Sequence, residues 1–305
     1  MQTAQEPPAA PKTIPADTAP ALAVVVISHG PRATLPAAVR SVLQQDVPVE
    51  LLVVHTGPGD VPALLKAHGI TAPVLAVPES RYVGAARNLG ISHTQAPWVA
   101  FLADDCLAAP EWARQRLGSH RDGAQAVASA LLPDRPGHPV ALASFLSNHI
   151  RRLPLTPPGE ALRYGVSYER RLLQSVGAFR EDMPGGEDSE YNARVATVCD
   201  IAWNPAVVTL HREPRNPVLA WWDHLRRGYL SGQMRLKLGA TRFPPFRQRV
   251  RDKQRYILAA AAERTGPELH TPLRKARPLL KAYILAYELG IQGALHRHAP
   301  RPPHP

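Results

Sequence analysis

Short runs of β-branched residues alternate with helix-forming segments along the first half of the chain, and this alternation constrains the fold more than any other feature. Residues 21–28 read ALAVVVIS, a continuous apolar run typical of a strand buried on both faces of a parallel sheet. Further strands are predicted at 50–54 and 74–77, with intervening helices that Thr34 and Asp60 cap. Strands that alternate with helices at this spacing form right-handed βαβ units. The sequence therefore predicts an α/β fold with a mostly parallel sheet flanked by helices.

The pattern continues to about residue 213 with less regular spacing. Predicted helices are at 82–92, 110–121, 139–151, 169–176 and 187–198, and predicted strands are at 98–102, 124–132, 165–168, 201–203 and 207–210. Prolines are frequent between 133 and 158, which indicates a loop-rich lobe over one edge of the sheet.

Three segments of different composition divide the chain. Residues 1–20 are rich in proline and alanine and lack an apolar run that could form the core of a signal peptide, so we expect a disordered tail. The α/β pattern occupies residues 21–213, which we expect to form one catalytic or binding domain. Residues 214–305 carry helical patterns instead, including a basic, tryptophan-bearing segment at 218–238. We expect this part to be a helical C-terminal extension.

The charge balance limits the partners of the chain. It has 36 Lys and Arg against 25 Asp and Glu, a formal net charge of +11, which suits an anionic ligand, an acidic membrane surface or nucleic acid. No nucleic-acid module and no regular basic-aromatic platform accompanies the charge, so we expect no nucleic-acid partner. Cys106 and Cys199 have neither metal-binding spacing nor partners for a disulfide framework, which favours a reducing compartment, the cytoplasm.

Two pairs of acidic residues stand where the predicted elements end or begin. Asp104 and Asp105 follow the strand at 98–102 and therefore lie at the carboxyl edge of the sheet, where α/β proteins bind ligands. Glu187 and Asp188 follow a Gly-Gly turn and open a helix. Acidic pairs also occur in ordinary turns and at helix starts, where the helix dipole favours them. The pairs are candidates for metal binding and catalysis, with these structural roles as the alternative.

The order of the motifs resembles that of the inverting nucleotide-sugar glycosyltransferases of family 2, which have the GT-A fold. The matching segments between Ala21 and Arg212 are VVVISHG, GAARNLGI, FLADDCLAAPEW, YERRLLQSVGAF, GGEDSEYNAR and VTLHR. The resemblance implies a GT-A-type, Rossmann-like sheet and transfer of a sugar from a nucleotide-sugar donor to an acceptor hydroxyl. The acceptor stays open among saccharides, lipid-linked molecules and other hydroxyl compounds.

The resemblance also implies a divalent metal, Mg²⁺ or Mn²⁺, on the diphosphate of the donor. Asp105 and His211 are the implied metal ligands. Oxygen-rich sites that bridge phosphates suit these ions, which need only one or two protein carboxylates. The family turn is usually Asp-x-Asp, whereas this chain has Ala103 in the first acidic place. Either Asp104 replaces that ligand or the diphosphate supplies it.

Other residues match family positions that contact the nucleotide sugar. The resemblance assigns them as Ser28, His29, His55, Gly84, Arg87 and Asp104. His55 stands where the family usually has an acidic residue that reads the base, so the base stays open. Gly84 either lets the backbone approach the ligand or lets its helix pack on the sheet. The planar guanidinium of Arg87 suits phosphate oxygens.

Asp188 matches the catalytic base of the family, and Glu187 beside it is expected to orient the acceptor or to pack against Arg194. A second functional class stays open, because Ala103 and His55 depart from the family pattern. In that alternative the chain is a catalytically impaired GT-A-like module that binds nucleotide sugars or a partner.

The C-terminal extension predicts contact with a membrane surface. Residues 242–255 are basic, and residues 278–295 are apolar but interrupted by Lys281 and Glu288. The apolar stretch is shorter than the roughly 20 residues that a membrane-spanning helix needs. It fits either a helix lying in the interface of an anionic membrane or a helix packed as a cap on the catalytic domain. We expect a cytoplasmic protein with peripheral membrane contact under the first alternative.

Overall fold

An eight-stranded sheet runs through the α/β part of the computed structural model, which describes residues 19–30, 32–237, 239–240 and 242–298. The strands are β1 (Leu22–His29), β2 (Val49–Thr56), β3 (Val74–Val77), β4 (Trp98–Ala103), β5 (Cys106–Ala108), β6 (Ala126–Pro133), β7 (Ser167–Glu169) and β8 (Ile201–His211). The spatial order is β3-β2-β1-β4-β7-β6-β8-β5. Residues 1–18 of the predicted tail lie outside the described residues.

The sheet is mixed, so the prediction of a mostly parallel sheet is met only roughly. Strands β3, β2, β1 and β4 are parallel neighbours, and β6 is parallel to β8. Strand β7 runs antiparallel between β4 and β6, and β5 runs antiparallel to β8. Parallel strands need crossover helices, whereas β7 and β5 are three-residue strands that join the sheet in the opposite direction.

Helices cover both faces of the sheet and continue beyond it. They are α1 (Leu35–Leu43), α2 (Val61–Ala67), α3 (Val83–Ser92), α4 (Trp112–Arg121), α5 (Pro139–His149), α6 (Arg170–Val176), α7 (Glu187–Val195), α8 (Pro217–Lys237), α9 (Phe246–Arg264) and α10 (His270–His298). Alternate residues of β1 enter two apolar cores: Val24 and Val26 belong to one, and Ala23 and Val25 to the other. Burial on both faces explains the continuous apolar run of this strand.

The two predicted helix caps have different outcomes. The side chain of Asp60 accepts a hydrogen bond from the backbone N–H of Ala63 at 2.9 Å, as a cap should. The prediction for Thr34 is wrong, because its side chain makes no capping hydrogen bond. Thr34 already has helical backbone angles, φ −80° and ψ −27°, whereas a capping residue is normally extended.

The structure corrects the prediction around β8. Residues 201–203 and 207–210 were predicted as two strands, but they belong to one strand, with a register shift opposite Ser129 and Ala130 of β6. Strand β5 was not predicted. Its pairing with β8 sets Cys106 opposite His211, and this register brings the acidic turn to the predicted histidine.

The C-terminal helices share an apolar core with α5. That core combines residues of α5 such as Phe145 with Ala220 of α8, Ile257 of α9 and Ile284 of α10. The basic stretch 242–255 belongs in part to α9, and the apolar stretch 278–295 is the second part of the longer α10. None of the helices in the described part of the chain is long and apolar enough to cross a membrane. The division of the chain near residue 213 stays a prediction.

Helices α8 and α10 touch backbone to backbone. A Cβ atom added at Gly228 of α8 would collide with the carbonyl oxygen of Tyr287, and one added at Gly290 of α10 would collide with that of Leu225. Glycine at both positions therefore sets the separation of the two helices.

Candidate active site

The acidic turn lies at the carboxyl edge of the parallel strands, as predicted. The backbone N–H of Asp104 donates to the carbonyl oxygen of Ile27 at 3.1 Å, which extends the pairing of β4 with β1 by one residue. Asp104 is buried, whereas the side chain of Asp105 is 27% exposed. Only Asp105 therefore presents its carboxylate to solvent.

Arg32 lies over both carboxylates. Its Nε atom is 3.7 Å from Oδ2 of Asp104, and its Nη1 atom is 3.7 Å from Oδ2 of Asp105. Burial raises the pKa of Asp104, although the charge of Arg32 opposes this effect. The Oδ2 atom of Asp104 has no hydrogen-bond partner among the described residues. A buried carboxylate oxygen without a partner indicates a site that takes a further ligand or water.

His211 ends β8 beside the acidic turn. Its Nε2 atom lies 4.0 Å from Oδ1 of Asp105, and the backbone N–H of Arg212 donates to the carbonyl oxygen of Asp105 at 2.9 Å. Ligand atoms that share one ion at about 2.1 Å each are about 3 to 4 Å apart. The Asp105 and His211 side chains therefore fit a divalent cation between them. The thiol of Cys106 completes a group whose ligand atoms all lie within 4.8 Å of one another.

Glu213 holds the opposite side of the His211 ring. Its Oε1 atom lies 3.0 Å from Nδ1 of His211 and 3.4 Å from Nε2 of His149, and its Oε2 atom accepts a hydrogen bond from Oγ of Ser144 at 2.5 Å. The Glu213 side chain is 1% exposed. Because the carboxylate occupies the Nδ1 side, the Nε2 atom is the one that faces Asp105. A histidine with this arrangement offers the correct ring nitrogen to a metal.

Burial and charge act in opposite directions in this cluster. Burial alone would raise the pKa of Glu213, but its two histidine neighbours hold it well below the usual range. Burial opposes protonation of His211, yet the contact with Glu213 outweighs it and the pKa of His211 is raised. Burial lowers the pKa of His149 to about 3. The sequence analysis missed Glu213, His149 and Ser144, because nothing in the local sequence indicates that α5 packs beside the end of β8.

The second acidic pair opens α7 after Gly186, whose φ of 82° places it in the left-handed region. Glu187 is buried, and its Oε1 atom lies 3.3 Å from Nη2 of Arg87. Burial raises the pKa of Glu187, and Arg87 opposes the rise. The predicted contact of Glu187 with Arg194 is wrong, because Arg194 pairs with Glu190 at 2.8 Å one helical turn away.

Asp188 differs from Glu187 in its surroundings. It is half-buried, and its Oδ1 atom accepts a hydrogen bond from the backbone N–H of Ser189 at 2.7 Å. Arg152 interacts electrostatically with both Asp188 and Cys106, and burial lowers the pKa of Arg152 to about 10. The sequence analysis also missed this arginine, which lies near both the start of α7 and Cys106.

The predicted nucleotide-contacting residues at the strand ends are brought together. Ser28 lies opposite His55, and His29 lies opposite Thr56, in the register of β1 and β2. The Nδ1 atom of His29 is 3.2 Å from Oγ1 of Thr56, which itself donates to the carbonyl oxygen of Arg81 at 3.2 Å. His55 is 1% exposed, and neither ring nitrogen has a hydrogen-bond partner within the part of the chain that the structure describes.

Gly84 and Arg87, the predicted contacts from α3, have partners within the protein. A Cβ atom at Gly84 would collide with the carbonyl oxygen of Arg180, so packing alone explains this glycine. The guanidinium of Arg87 lies 4.9 Å from the ring centre of Phe101 and 5.2 Å from that of Phe179 while it faces Glu187. Arg87 is therefore not a surface arginine. Contacts of these two residues with a nucleotide stay predictions.

Two depressions that share lining residues lie beside the acidic turn and the start of α7. A cleft of about 400 Å³ is lined by Arg32, Asp105, His211, Arg212, Asp223 and Arg227. Asp223 and Arg227 also line a groove of about 780 Å³ between α7 and α8, whose other wall includes Gly186 and Ser189. The cleft and the groove therefore adjoin at Asp223 and Arg227.

The chain also resembles known proteins. Residues 23–146 match the model of the family described as glycosyl transferase family 2. The match covers less than half of the chain and supports a family 2 glycosyltransferase domain in that part. Together with the GT-A fold, it supports a glycosyltransferase, as the motif order predicted. No curated protein sequence matches the chain significantly.

Two solved structures resemble this chain in fold. One is a mannosyltransferase from Pyrobaculum calidifontis in complex with GDP-Man and Mn²⁺, with 17% identity, a TM-score of 0.57, and coverage of 90% of this chain and 88% of that one. Residues 1–349 of S. aureus TarS in complex with UDP show 12% identity, a TM-score of 0.51, and coverage of 88% and 91%.

The part that matches the family model contains only one side of the site. It includes Ser28, His55 and Asp105, whereas Asp188 and His211 lie beyond residue 146. Their place beside the matched region rests on the pairing of β5 with β8 and on the start of α7.

Proposed function

We propose that this glycosyltransferase moves a sugar from a nucleotide-sugar donor to an acceptor hydroxyl with inversion at the anomeric carbon, using a divalent metal on the donor diphosphate. The observation that supports it best is the cleft that carries Asp105 and His211 and adjoins, at Asp223 and Arg227, the groove at the start of α7. Inverting transfer needs both leaving-group stabilisation and a base near the donor.

Asp105 and His211 would hold the metal, Mg²⁺ or Mn²⁺, through one carboxylate oxygen and the Nε2 atom. When bound, such an ion supplies positive charge that stabilises the leaving diphosphate. Arg32 and Arg212 line the same cleft and offer further positive charge to the phosphate oxygens. Since Arg32 already contacts Asp104 and Asp105, it serves as their counter-charge before the donor arrives.

Asp188 is the proposed base. Its carboxylate takes the proton of the acceptor hydroxyl while the hydroxyl oxygen bonds to the anomeric carbon and the bond from that carbon to the diphosphate oxygen breaks. Arg152 and the N-terminal end of α7 bring positive charge near this carboxylate. Glu187 is a positioning residue, because its buried carboxylate pairs with Arg87 and fixes the first turn of α7.

The nucleotide would lie over the ends of β1 and β2. His29 is exposed at that edge, and Ser28 and His55, each 1% exposed, lie directly beneath it. The ring nitrogens of His55 have no hydrogen-bond partner among the described residues, so they are free to interact with a base if the edge opens. Asp104, buried beside Ser28, is proposed to support this edge. Cytoplasmic location and peripheral contact with an anionic membrane stay predictions.

The experiment separates nucleotide binding from sugar transfer with two variants, each of which replaces an aspartate by the equally large asparagine. Titration calorimetry with nucleoside diphosphates, with and without Mn²⁺, should show metal-dependent binding by the parent and its loss in Asp105→Asn. Asp188→Asn should keep that binding but lower transfer by about 10²- to 10⁴-fold, as expected for a lost general base. Asp122→Asn, an exposed change after α4, is the matched control.

Two outcomes would contradict the proposal. Metal-dependent binding that survives in Asp105→Asn excludes Asp105 as the ligand, and parental transfer by Asp188→Asn excludes Asp188 as the base. The absence of Asp at position 103 favours the alternative of a catalytically impaired module. Tight metal-dependent nucleotide-sugar binding without transfer to any saccharide or lipid-linked acceptor would support that alternative.

A further inference from the structure

The first two turns of α8 expose three large apolar side chains. Val218, Leu219 and Trp222 are 60%, 62% and 60% exposed. Positions i, i+1 and i+4 of a helix lie on one side, so these side chains form a single patch, which we call the α8 patch. Apolar side chains that cluster at the surface, unlike scattered ones, indicate a contact surface.

The exposure is a fixed property of α8. Asn216 caps the helix, because its Oδ1 atom accepts hydrogen bonds from the backbone N–H groups of Val218 at 2.9 Å and Leu219 at 3.1 Å. The other side of the helix buries Ala220 and His224, and His224 stacks on Tyr283 of α10 at a ring-centre distance of 4.9 Å. Because this side is held against α10, the α8 patch must face outward.

Positive charge accompanies the α8 patch. Arg215 precedes it, and Arg226 follows Trp222 one turn later on the same side of the helix; both are exposed. The whole chain carries a formal net charge of +11. A tryptophan and aliphatic residues beside arginines are the composition of helices that lie in the interface of anionic bilayers.

The α8 patch adjoins the mouth of the active-site cleft. Pro214, just before α8, and Asp223, next to Trp222, both line that cleft. A surface that the α8 patch contacts would therefore lie beside the opening through which an acceptor enters.

We propose that the α8 patch docks on an anionic lipid surface, with Leu219 and Trp222 inserted among the headgroups and Arg215 and Arg226 facing lipid phosphates. The docking itself does not depend on the proposed transfer reaction. The further point that the acceptor is a membrane-anchored molecule rests on the proposed function.

Flotation with vesicles tests the docking. The full chain is mixed at low ionic strength with vesicles of phosphatidylcholine alone or of phosphatidylcholine with phosphatidylglycerol. The parent should float with the anionic vesicles and be released by high salt. The double variant Leu219→Ser/Trp222→Ser should bind them about tenfold more weakly, because it loses the buried apolar area.

A matched control keeps the test specific. Leu155→Ser/Val198→Ser removes two other apolar side chains, which are 64% and 59% exposed outside α8, and should float like the parent. The proposal would be overturned if the two double variants floated equally or if the parent did not float. It would also be overturned if the parent bound neutral vesicles as well as anionic ones. So would a parental dimer in light scattering that the Leu219→Ser/Trp222→Ser variant loses, since the occupant would then be a second copy.

Nucleoside diphosphate binding distinguishes the two proposals. Both double variants should bind nucleoside diphosphate with Mn²⁺ as the parent does, because none of the four changed residues lines the cleft. If binding is intact and flotation fails, the docking is refuted while the proposed transfer stands.

Discussion

Replacing Glu213 by glutamine should weaken metal binding although Glu213 is not itself a proposed ligand. The Glu213 carboxylate, 1% exposed, lies 3.0 Å from Nδ1 of His211 and thereby keeps Nε2 directed at Asp105. Removing a carboxylate that holds a ligating histidine weakens metal binding by about 10- to 100-fold, or about 1.4–2.7 kcal/mol. Glutamine keeps the volume and can still accept the hydrogen bond from Ser144, so we expect a loss near tenfold.

The pH of the assay decides whether Glu213→Gln weakens or strengthens metal binding. Glu213 raises the pKa of His211, so protons compete with metal as the pH falls. Glu213→Gln lowers the pKa of His211, so protons compete with the metal only at lower pH. At acidic pH this change alone would favour metal binding by the variant. Well above the raised pKa of His211, protons no longer compete with the metal and only the loss of orientation remains. Mn²⁺ binding should therefore be measured by electron paramagnetic resonance at about pH 8.5.

Matched variants complete the measurement. Ser144→Ala removes one hydrogen bond but keeps the charge of Glu213, so it should weaken binding less than Glu213→Gln does. Glu111→Gln, an exposed change, should have no effect. A Glu213→Gln affinity within about twofold of the parent at that pH would refute the positioning role. Nitrogen-15 chemical shifts of His211 report the tautomer directly and should shift toward Nε2–H in the variant.

Two further predictions concern stability. The pKa of His120 is lowered by burial to about 4, so as the pH falls below about 6.5 the unfolded state takes up a proton first, and stability falls by about 1.4 kcal/mol per pH unit until about pH 4. Urea unfolding should show that the free energy of unfolding of His120→Gln falls less between pH 6.5 and 4 than that of the parent. An equal fall in both proteins would contradict this role of His120. Gly84→Ala should destabilise the fold by about 1–3 kcal/mol, since the new methyl group meets the carbonyl of Arg180. Gly118→Ala, in open space on α4, should instead raise the melting temperature; similar shifts for both alanines would exclude the packing role of Gly84.

Much of the fold was predictable because its signals are local. The apolar run of β1 and the cap at Asp60 are each determined by a few consecutive residues, and both agree with the structure. Strand β5 was missed because three residues carry no pattern of their own, and this strand exists only through its pairing with β8. Thr34 failed as a cap because its backbone is already helical, and its residue type does not reveal that conformation.

In the site, too, the features with local sequence signals were predictable and those that depend on distant segments were not. The carboxylates of Asp105 and Asp188 follow a strand end and a glycine turn, so their position was visible in the sequence. The surroundings of those carboxylates come from distant segments. Arg32 lies far from Asp105 in the chain, and Glu213 meets His149 only because α5 and β8 end side by side. Periodicity and capping rules contain no information on such long-range contacts.

The backbone contact between α8 and α10 limits how this protein can evolve. At Gly228 and Gly290 the opposing atom is a carbonyl oxygen, so no side-chain change on the other helix can compensate for a larger residue. The two glycines therefore fix the helix separation, and with it the position of one wall of the groove beside α7. Exchanges of side chains on that wall, such as Arg226, Leu230 and Met234, can reshape the groove at constant helix spacing.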